Sequence, residues 1–473
     1  MNFQSFNFIV FFLFVLFVVR FYLAEKPNAK KTFLLIASYY FYMCWDWRFA
    51  GIILLITLVN FVVGPRIAVA KTQLQKKAWL AVSLVLSLGV LAYFKYMNFL
   101  IESMGVLLTS IGFSPDFQLL NVVLPIGISF YTFQSISYTL DIYRGRTQPV
   151  DSLRDFSLFV AFFPQLVAGP IVRASHFLPQ LSGESKEREN GVEEGFALII
   201  RGFIKKIAIA DVLALHIVDP AFSNPSAFSP LFLLIGIYAY SYQIYMDFSG
   251  YTDIARGVAR SLGYELQINF DRPYKASSVS NFWQRWHISM SSFFRDYLYF
   301  GLGGAKSGNV YVNLLITFIA VGVWHGAGWN FVVYGFLHGA FLGLERWRRN
   351  QRKRRGIPEP DYKGLRWGLQ IFWIFNVIAF SRLLFRGGSV EAAQDYAEAM
   401  LVFGNTHLPL DVMGLTVLFV AVVSHYTPSR WTLDWKAAYT RVPAVAQGLV
   451  MVVVVFSLVA LSSEQAPFIY FQF

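Results

Sequence analysis

The stretch GVWHGAGWNFVVYG, residues 322–335, joins two apolar runs at 310–323 and 331–344 and puts His325 at the turn between them. Where such runs cross a membrane, an ionisable side chain is costly and is usually kept for a transport pathway or for chemistry. Imidazole can equally supply neutral hydrogen bonds. Position alone therefore leaves two interpretations of His325 open: a catalytic group, or a hydrogen-bonded packing residue beside an interfacial Trp324.

The composition decides the class of protein. Of the 473 residues, 56% are hydrophobic and 14% are charged, whereas about 25% of the residues of soluble domains are charged. This excludes an ordinary water-soluble protein and predicts a polytopic membrane protein. Only helices or closed barrels satisfy the backbone in lipid, and no ten-residue alternation typical of barrel strands occurs, so the fold class is all-α.

Apolar runs approach the roughly 20 residues that a spanning helix needs in many places. They lie at 6–23, 49–63, 78–94, 197–218, 231–245, 310–323, 331–344, 369–385, 415–423 and 444–461, with less clear segments at 32–44 and 119–140. We expect roughly ten to thirteen spanning helices, some of them tilted, broken or re-entrant.

The basic residues predict the orientation. The first apolar run lacks a basic segment before it and is followed by Lys26, Lys30 and Lys31, which is typical of an uncleaved first span with its N-terminus outside. The basic loops at 66–77, 144–154 and above all 346–355 should then be cytoplasmic. This bias and the anionic membrane lipids explain the net charge of +12 without nucleic acid.

Cysteine usage excludes one class of site. Cys44 is the single cysteine, so the chain has neither an intrachain disulfide nor a cysteine-based metal site. No HExxH motif occurs, and the spacing of His325 and His338 fits no metal-ligand pattern. We therefore predict no bound metal or cofactor.

The segment 281–298 predicts one continuous amphipathic helix. Its polar and apolar faces each repeat at helical spacing: Asn281, Arg285, Ser289, Ser292 and Asp296, followed one residue later by Phe282, Trp286, Met290, Phe293 and Tyr297. On such a helix Trp283 and His287 would share a face. From this helix alone, an interfacial structural role for His287 is favoured over catalysis.

Three more polar sites lie in apolar surroundings next to glycine or proline. They contain Gln134 in the run at 125–146, Gln165 in FFPQLVAGP and Asp247 in YMDFSGYTD. Irregular backbone at membrane depth is tolerated only when it is buried in protein or faces a water-filled cavity. These residues are candidates for substrate binding, although an ion pair with Arg256 or a lysine is the favoured interpretation of Asp247.

Five ordered blocks carry a resemblance that extends from about residue 30 to 345. They read PIGISFYTFQSISYTLDIYRGR (125–146), FFPQLVAGPIVR (162–173), YMDFSGYTDIARG (245–257), NFDRPYKASSVSNFWQRWHISMSSFFRDYLYFGLGG (269–304) and VWHGAGWNFVVYGFLHG (323–339). Together they resemble the membrane-bound O-acyltransferase (MBOAT) family, and most of all its bacterial alginate O-acetylase branch. The terminal FIYFQF, residues 468–473, is similar to the ending of that branch.

The resemblance implies a single transmembrane domain over 1–473, with its most specific core at 125–345, formed by a helical wall around a central cavity. It places the histidine matching His325 at the heart of that cavity and the one matching His287 across it. Asn281 stands where relatives commonly have Asp, which puts a charged role at this position in doubt. The substrate-binding candidates are Asn281, Trp283, Arg285, Trp324, Asp247, Gln134 and Gln165.

The chemistry implied is transfer of an acetyl group from a thioester to a hydroxyl. That reaction needs a base near pH 7, and an imidazole with a pKa of about 6.5 is suited to it. We therefore predict that His325 is the general base. His287 would hold the acceptor or the carbonyl oxygen by a hydrogen bond.

The resemblance further implies a donor on the cytoplasmic side, acetyl-coenzyme A, and an acceptor outside the bacterial cytoplasmic (inner) membrane. A periplasmic, hydrolase-like acetyltransferase would be the partner and an exopolysaccharide such as alginate or cellulose the final acceptor. Two alternatives stay open. One is D-alanyl transfer from a carrier protein to teichoic acids, and the other is a non-enzymatic subunit for polysaccharide export or transport.

Overall fold

All secondary structure in the described part of this computed structural model is helical. The structure describes residues 1, 3–113, 116–167, 169–183, 191–360, 362–409, 411–428, 439, 441–443, 445–450, 452–453 and 468–469. The chain divides into two compact units, Met1–Ile199 with Ile254–Gln267, and Ile200–Asp253 with Ile268–Phe473. The sequence predicts one domain for the same residues.

The first unit consists mainly of nine helices and one π-helical turn among its described residues. They are α1 (Phe6–Phe17), the π-helical turn Val18–Tyr22, α2 (Pro27–Met43), α3 (Phe49–Val69), α4 (Gln73–Lys95), α5 (Met97–Ser110), α6 (Ile128–Tyr143), α7 (Leu153–Ala161), α8 (Phe163–Leu166) and α9 (Ala174–Leu181). A buried polar network crosses α3, α4 and α6. Asn60 Nδ2 donates to Ser87 Oγ at 3.0 Å, Ser83 Oγ donates to Asn60 Oδ1 at 2.7 Å, and the hydroxyls of Ser83 and Thr139 lie 2.9 Å apart.

Two helices, α10 (Gly191–Phe203) and α12 (Pro230–Ser261), contribute residues to both units. The other helices of the second unit are α11 (Asp219–Ser223), α13 (Val279–Trp283), α14 (Ile288–Phe293), α15 (Val310–His325), α16 (Trp329–Arg354), α17 (Gly364–Ser381), α18 (Leu383–Arg386), α19 (Val390–Ala399) and α20 (Val412–Tyr426). Shorter turns complete it: π-helical at Ile204–Asp211, Ala214–Val218 and Phe294–Tyr299, and 3-10 at Pro225–Ala227 and Pro273–Lys275.

Three described helical segments are long and apolar enough to cross a membrane: Phe49–Val69, Gln73–Lys95 and Gly364–Arg386. Four shorter apolar helices, Phe6–Tyr22, Met97–Ser110, Val310–His325 and Val412–Tyr426, add to these. The figure of ten to thirteen spans stays a prediction. The segment 32–44 is helical within α2 as far as Met43, whereas the segment 119–140 has no regular structure before Ile128, where α6 begins. The run 444–461 lies mostly outside the described residues.

The prediction of one helix through 281–298 is wrong. Helix α13 ends at Trp283 and α14 begins at Ile288, and His287 between them has a left-handed backbone with φ of 44°. Asn269 explains the break, because its carbonyl accepts the N–H of Ile288 at 2.9 Å and its side-chain oxygen accepts the N–H of Ser289 at 3.1 Å. These bonds replace those of a continuous helix. The predicted apolar face is nevertheless buried throughout.

Helices α15 and α16 form the hairpin that the apolar runs predict. Asn309 caps the start of α15, accepting the N–H groups of Tyr311 and Val312. Two glycines let the helices touch: a Cβ on Gly322 would lie 2.1 Å from the carbonyl oxygen of Phe331, and one on Gly335 would lie 2.3 Å from that of Phe318. Any larger residue would force the helices apart. His325 therefore ends α15 at the tight turn.

Candidate active site

The structure brings His325 and His287 together inside the second unit. Their ring centroids are 6.5 Å apart, and their exposed fractions are 4% and 0%. The indole of Trp324 contacts both rings edge-on, at 5.5 Å from His287 and 5.1 Å from His325. The sequence predicts that these two histidines lie on opposite sides of one cavity. In the structure their rings are close neighbours.

His325 lies in an aromatic environment built by the hairpin and by α18. Phe385 packs edge-on against its ring at 5.1 Å and Tyr334 at 6.3 Å. These neighbours are buried, so bulk water has little access to the imidazole. In such a site water does not compete for the hydrogen bonds of a base, and electrostatic interactions are stronger than in bulk water.

His287 is held by Asn269, a residue that the motif analysis missed. The side-chain oxygen of Asn269 accepts the N–H and the hydroxyl of Ser289, at 3.1 and 2.9 Å, and lies 3.2 Å from Nδ1 of His287. Since this oxygen can only accept, Nδ1 carries the proton and Nε2 carries the lone pair. The left-handed backbone at His287 costs about 1–3 kcal/mol and is typical of functional sites.

A third histidine, His338, has a structural role. Its Nδ1 accepts the indole N–H of Trp283 at 3.2 Å, and its Nε2 lies 3.1 Å from the hydroxyl of Ser381, which itself donates to the carbonyl of Ile378. Both ring nitrogens are therefore satisfied by protein groups. Trp283, a substrate-binding candidate, is thereby fixed as the neighbour of His338 and does not share a helical face with His287.

Two other candidates of this segment lie nearer the surface. Asn281 accepts a bond from Nε of Arg285 at 3.2 Å, and Arg285 forms an ion pair with Asp271 at 3.1 Å. This arrangement ties α13 to the chain before it. Asn281 also lines a cavity together with Trp283, whereas Arg285 is held by Asp271.

Asp247 is ion-paired within the second unit. Its carboxylate lies 2.8 Å from Nζ of Lys206, and both side chains are almost fully buried. The same carboxylate accepts the backbone N–H of Ile469 at 2.9 Å, and Phe468 stacks on Tyr251 at 4.3 Å. The sequence favours an ion pair of Asp247 with either Arg256 or a lysine, and the partner in the structure is Lys206, whereas Arg256 lies 3.8 Å from Glu265. The C-terminal residues 468 and 469 are docked at this pair.

Gln134 and Gln165 belong to the first unit. Both side-chain amides donate to the carbonyl of Phe159. This shared acceptor joins α6, α7 and α8 and gives each glutamine a structural contact. Their role in substrate binding stays a prediction.

A cavity of about 1300 Å³ opens beside α13 and the C-terminal half of α16. Five arginines of the basic run line it, Arg346, Arg348, Arg349, Arg352 and Arg355, together with Trp283 and Val321. Glu345, also in its wall, accepts the N–H groups of Val279 and Ser280 at 2.6 and 3.0 Å and so caps α13. The cavity therefore extends from a strongly positive rim to within one turn of His325 along α15.

These features define a helical membrane protein with a buried, water-poor histidine pair and a basic cavity. Comparison with known sequences identifies the class. The sequence model of the membrane-bound O-acyltransferase family matches residues 150–385. A probable alginate O-acetylase AlgI of Pseudomonas putida is 34% identical over 98% of both chains. The chain belongs to the membrane-bound O-acyltransferase family and is a membrane-bound acyltransferase.

Two further relatives represent different acceptors. A peptidoglycan O-acetyltransferase of Helicobacter pylori is 33% identical over 81% of this chain and 76% of its own length. A teichoic acid D-alanyltransferase of Streptococcus thermophilus is 30% identical over 55% of this chain and 68% of its own length. Both matches lie within a family of enzymes, which counts against the alternative of a non-enzymatic export subunit.

Proposed function

We propose that this protein moves an acetyl group from acetyl-coenzyme A in the cytoplasm across the bacterial inner membrane for O-acetylation of an exopolysaccharide. A periplasmic acetyltransferase is the partner that receives the group and modifies the polymer. The names of the relatives from Pseudomonas putida and Helicobacter pylori support acetyl transfer to a polysaccharide. The observation that carries the proposal is the buried pair His325 and His287, with ring centroids 6.5 Å apart.

His325 acts as the general base. An acceptor hydroxyl attacks the thioester carbonyl carbon and gives its proton to the imidazole, so that the carbonyl oxygen becomes negatively charged. The C–S bond then breaks as the C=O bond re-forms, and the thiolate takes the proton back from the imidazolium. The burial of His325 supports this role because a water-poor site disfavours hydrolysis of the thioester.

His287 acts by positioning the substrate. With its proton on Nδ1 facing Asn269, its Nε2 accepts a hydrogen bond from a substrate O–H or N–H, such as a second hydroxyl or an amide of the thioester arm. In this tautomer it does not donate to the carbonyl oxygen. This narrows the role expected from the sequence, which included the carbonyl oxygen as an alternative.

The basic cavity is the proposed entrance for the donor. Coenzyme A carries phosphates, a ring system and a long flexible arm, and arginine binds phosphate through its planar fork. Five arginines and Trp283 provide these contacts in a volume of about 1300 Å³. From Trp283 a continuous set of rings leads inward through His338 and Tyr334 to His325, at centroid distances of 5.2, 4.4 and 6.3 Å.

Substitution of His325 tests the central step. His325→Gln keeps a hydrogen-bonding side chain of similar size but cannot take up a proton near neutral pH, so acetyl transfer should fall by about 10²–10⁴-fold. The measurement is acetyl transfer by purified protein in detergent, normalised to folded molecules. Near-normal transfer by this variant would mean that imidazole basicity is not needed.

The identity of the donor is tested by comparing two thioesters, each supplied separately. Wild-type protein is supplied with acetyl-coenzyme A or with a D-alanyl carrier protein, and acyl transfer to a hydroxyl acceptor is measured by mass spectrometry. Use of acetyl-coenzyme A supports the proposal, whereas exclusive use of the carrier would assign the protein to D-alanyl transfer. Mass spectrometry of the exopolysaccharide from a strain lacking the gene then identifies the polymer, by the acetyl groups that it has lost.

A further inference from the structure

Arg382 is a buried cation without a counter-charge among the described residues. It lies between α17 and α18 and is 2% exposed. Its Nε and Nη1 are buried and form no hydrogen bond within the described chain. By contrast, Arg386, one turn later, is bound to Asp219 at 2.8 Å, and Arg201 is bound to Asp253 at 2.7 Å. Burial of an unpaired charge is strongly unfavourable unless a ligand compensates for it.

Aromatic rings hold the guanidinium in place. Its central carbon lies 4.3 Å from the ring centroid of Trp286 and 5.5 Å from that of Tyr274. Such contacts stabilise a cation and fix its plane, but they leave its N–H donors unused. Arg382 is therefore fixed in orientation with hydrogen-bond donors still available.

The neighbours of Arg382 connect it to the histidine pair. Trp286, under the guanidinium, directly precedes His287 in the chain, and Phe385, three residues after Arg382, contacts the ring of His325 at 5.1 Å. The buried cation thus lies among residues that contact both histidines. Since Nε2 of His287 is an acceptor, the acyl oxygen needs its hydrogen-bond donor from another side chain.

We propose that Arg382 is an anion-binding catalytic residue of the acyl-transfer site. This inference rests on the proposed function. Its guanidinium donates to the carbonyl oxygen of the acyl group, which becomes negatively charged when the acceptor hydroxyl attacks and its proton passes to His325. When the C=O bond re-forms and the thiolate leaves, the oxygen loses that charge. The cation therefore binds the transition state more strongly than the ground state, which is the condition for catalysis.

The test uses purified full-length protein in detergent, with Arg382→Met, Arg382→Lys and the control Arg386→Met. Loss of one oxyanion donor typically lowers turnover by about 10²–10³-fold, so we expect this for Arg382→Met at saturating donor, with KM nearly unchanged. Arg382→Lys keeps the charge without the fork and should lose about tenfold. Arg386→Met should stay within about threefold, because its partner lies at the surface.

A thermal melt separates this role from a structural one. Removal of an uncompensated buried cation should leave the melting temperature of Arg382→Met equal to or above that of the wild type. Unchanged turnover would overturn the proposal. So would an increase in KM alone, which would mean that Arg382 binds a permanent anion such as a phosphate or carboxylate of a substrate. If Arg382→Met does not accumulate, Arg382→Lys decides, and full turnover by that variant would overturn the proposal.

Assays of the wild type with each donor distinguish a failure of the Arg382 proposal from a failure of the proposed function. Every transfer from a thioester to a hydroxyl forms the same oxyanion, so the variants are assayed with whichever donor the wild type uses. A wild type that accepts only a D-alanyl carrier would refute the proposed donor and leave the role of Arg382 to be decided by turnover. A wild type that accepts neither thioester would refute both.

Discussion

The two histidines of the candidate site belong to regions of opposite character. His325 ends a regular helix in a hairpin that the apolar runs and the close-packed glycines specify. His287 lies at a break between two short helices, with a left-handed backbone and a hydrogen bond to Asn269, 18 residues earlier. The comparison teaches that the local sequence pattern is enough to position His325, whereas His287 is positioned by a polar contact with a residue elsewhere in the chain.

The strongest test of this comparison is removal of the second imidazole. His287→Ala deletes the acceptor that positions the substrate, and we expect a loss of about 10²-fold in acetyl transfer at unchanged protein level. The assay is turnover per folded molecule, with insertion checked by size-exclusion chromatography in detergent. Full activity, or a protein that fails to insert, would return His287 to a structural role.

A smaller effect is expected for the residue that orients His287. Asn269→Ala removes the acceptor for Nδ1. Partners that orient a metal-binding histidine typically contribute about 10–100-fold, and we expect the lower end of that range for the same orienting role here. Turnover at saturating donor should therefore fall by about tenfold. The matched control is Asn60→Ala in the first unit, a buried asparagine bonded to Ser83 and Ser87. It should lower stability by about 1–3 kcal/mol and leave turnover per folded molecule unchanged. If both variants lost turnover equally, Asn269 would have no effect on the candidate site beyond that of any buried asparagine.

The hairpin is tested through its stability. A methyl group at Gly322 would lie 2.1 Å from the carbonyl oxygen of Phe331, so Gly322→Ala must separate α15 and α16. We expect a loss of about 1–3 kcal/mol, measured as a lower melting temperature. Gly343→Ala on the same helix pair meets nothing nearer than 3.7 Å and should melt like the wild type. If the two variants melt alike, glycine packing does not hold the hairpin.

The last prediction concerns the orientation of the protein in the membrane, and its variants are expected to keep full activity. Residues 346–355 carry seven lysines and arginines, which predicts that they lie in the cytoplasm. Because Cys44 is exposed, Cys44→Ser serves as the background. Asn350→Cys in that background should resist a membrane-impermeant thiol reagent on intact cells and react after permeabilisation. Reaction on intact cells would reverse the topology and the direction of acyl flow.

The sequence by itself determined the helical membrane class, the hairpin and His325 as a catalytic candidate. These follow from composition, the lengths of apolar runs and a motif, all of which act over short stretches of chain. Helical spacing at 281–298 also indicated which side chains are buried. It failed at His287, because periodicity contains no information about hydrogen bonds from elsewhere in the chain.

Only the tertiary structure decided which polar groups meet. It paired Asp247 with Lys206, satisfied both nitrogens of His338, and placed Asn269 beside His287. It also left the cation of Arg382 stacked on Trp286 without a carboxylate partner among the described residues. These outcomes depend on which donors and acceptors remain buried together after packing, and that is a property of the folded chain as a whole.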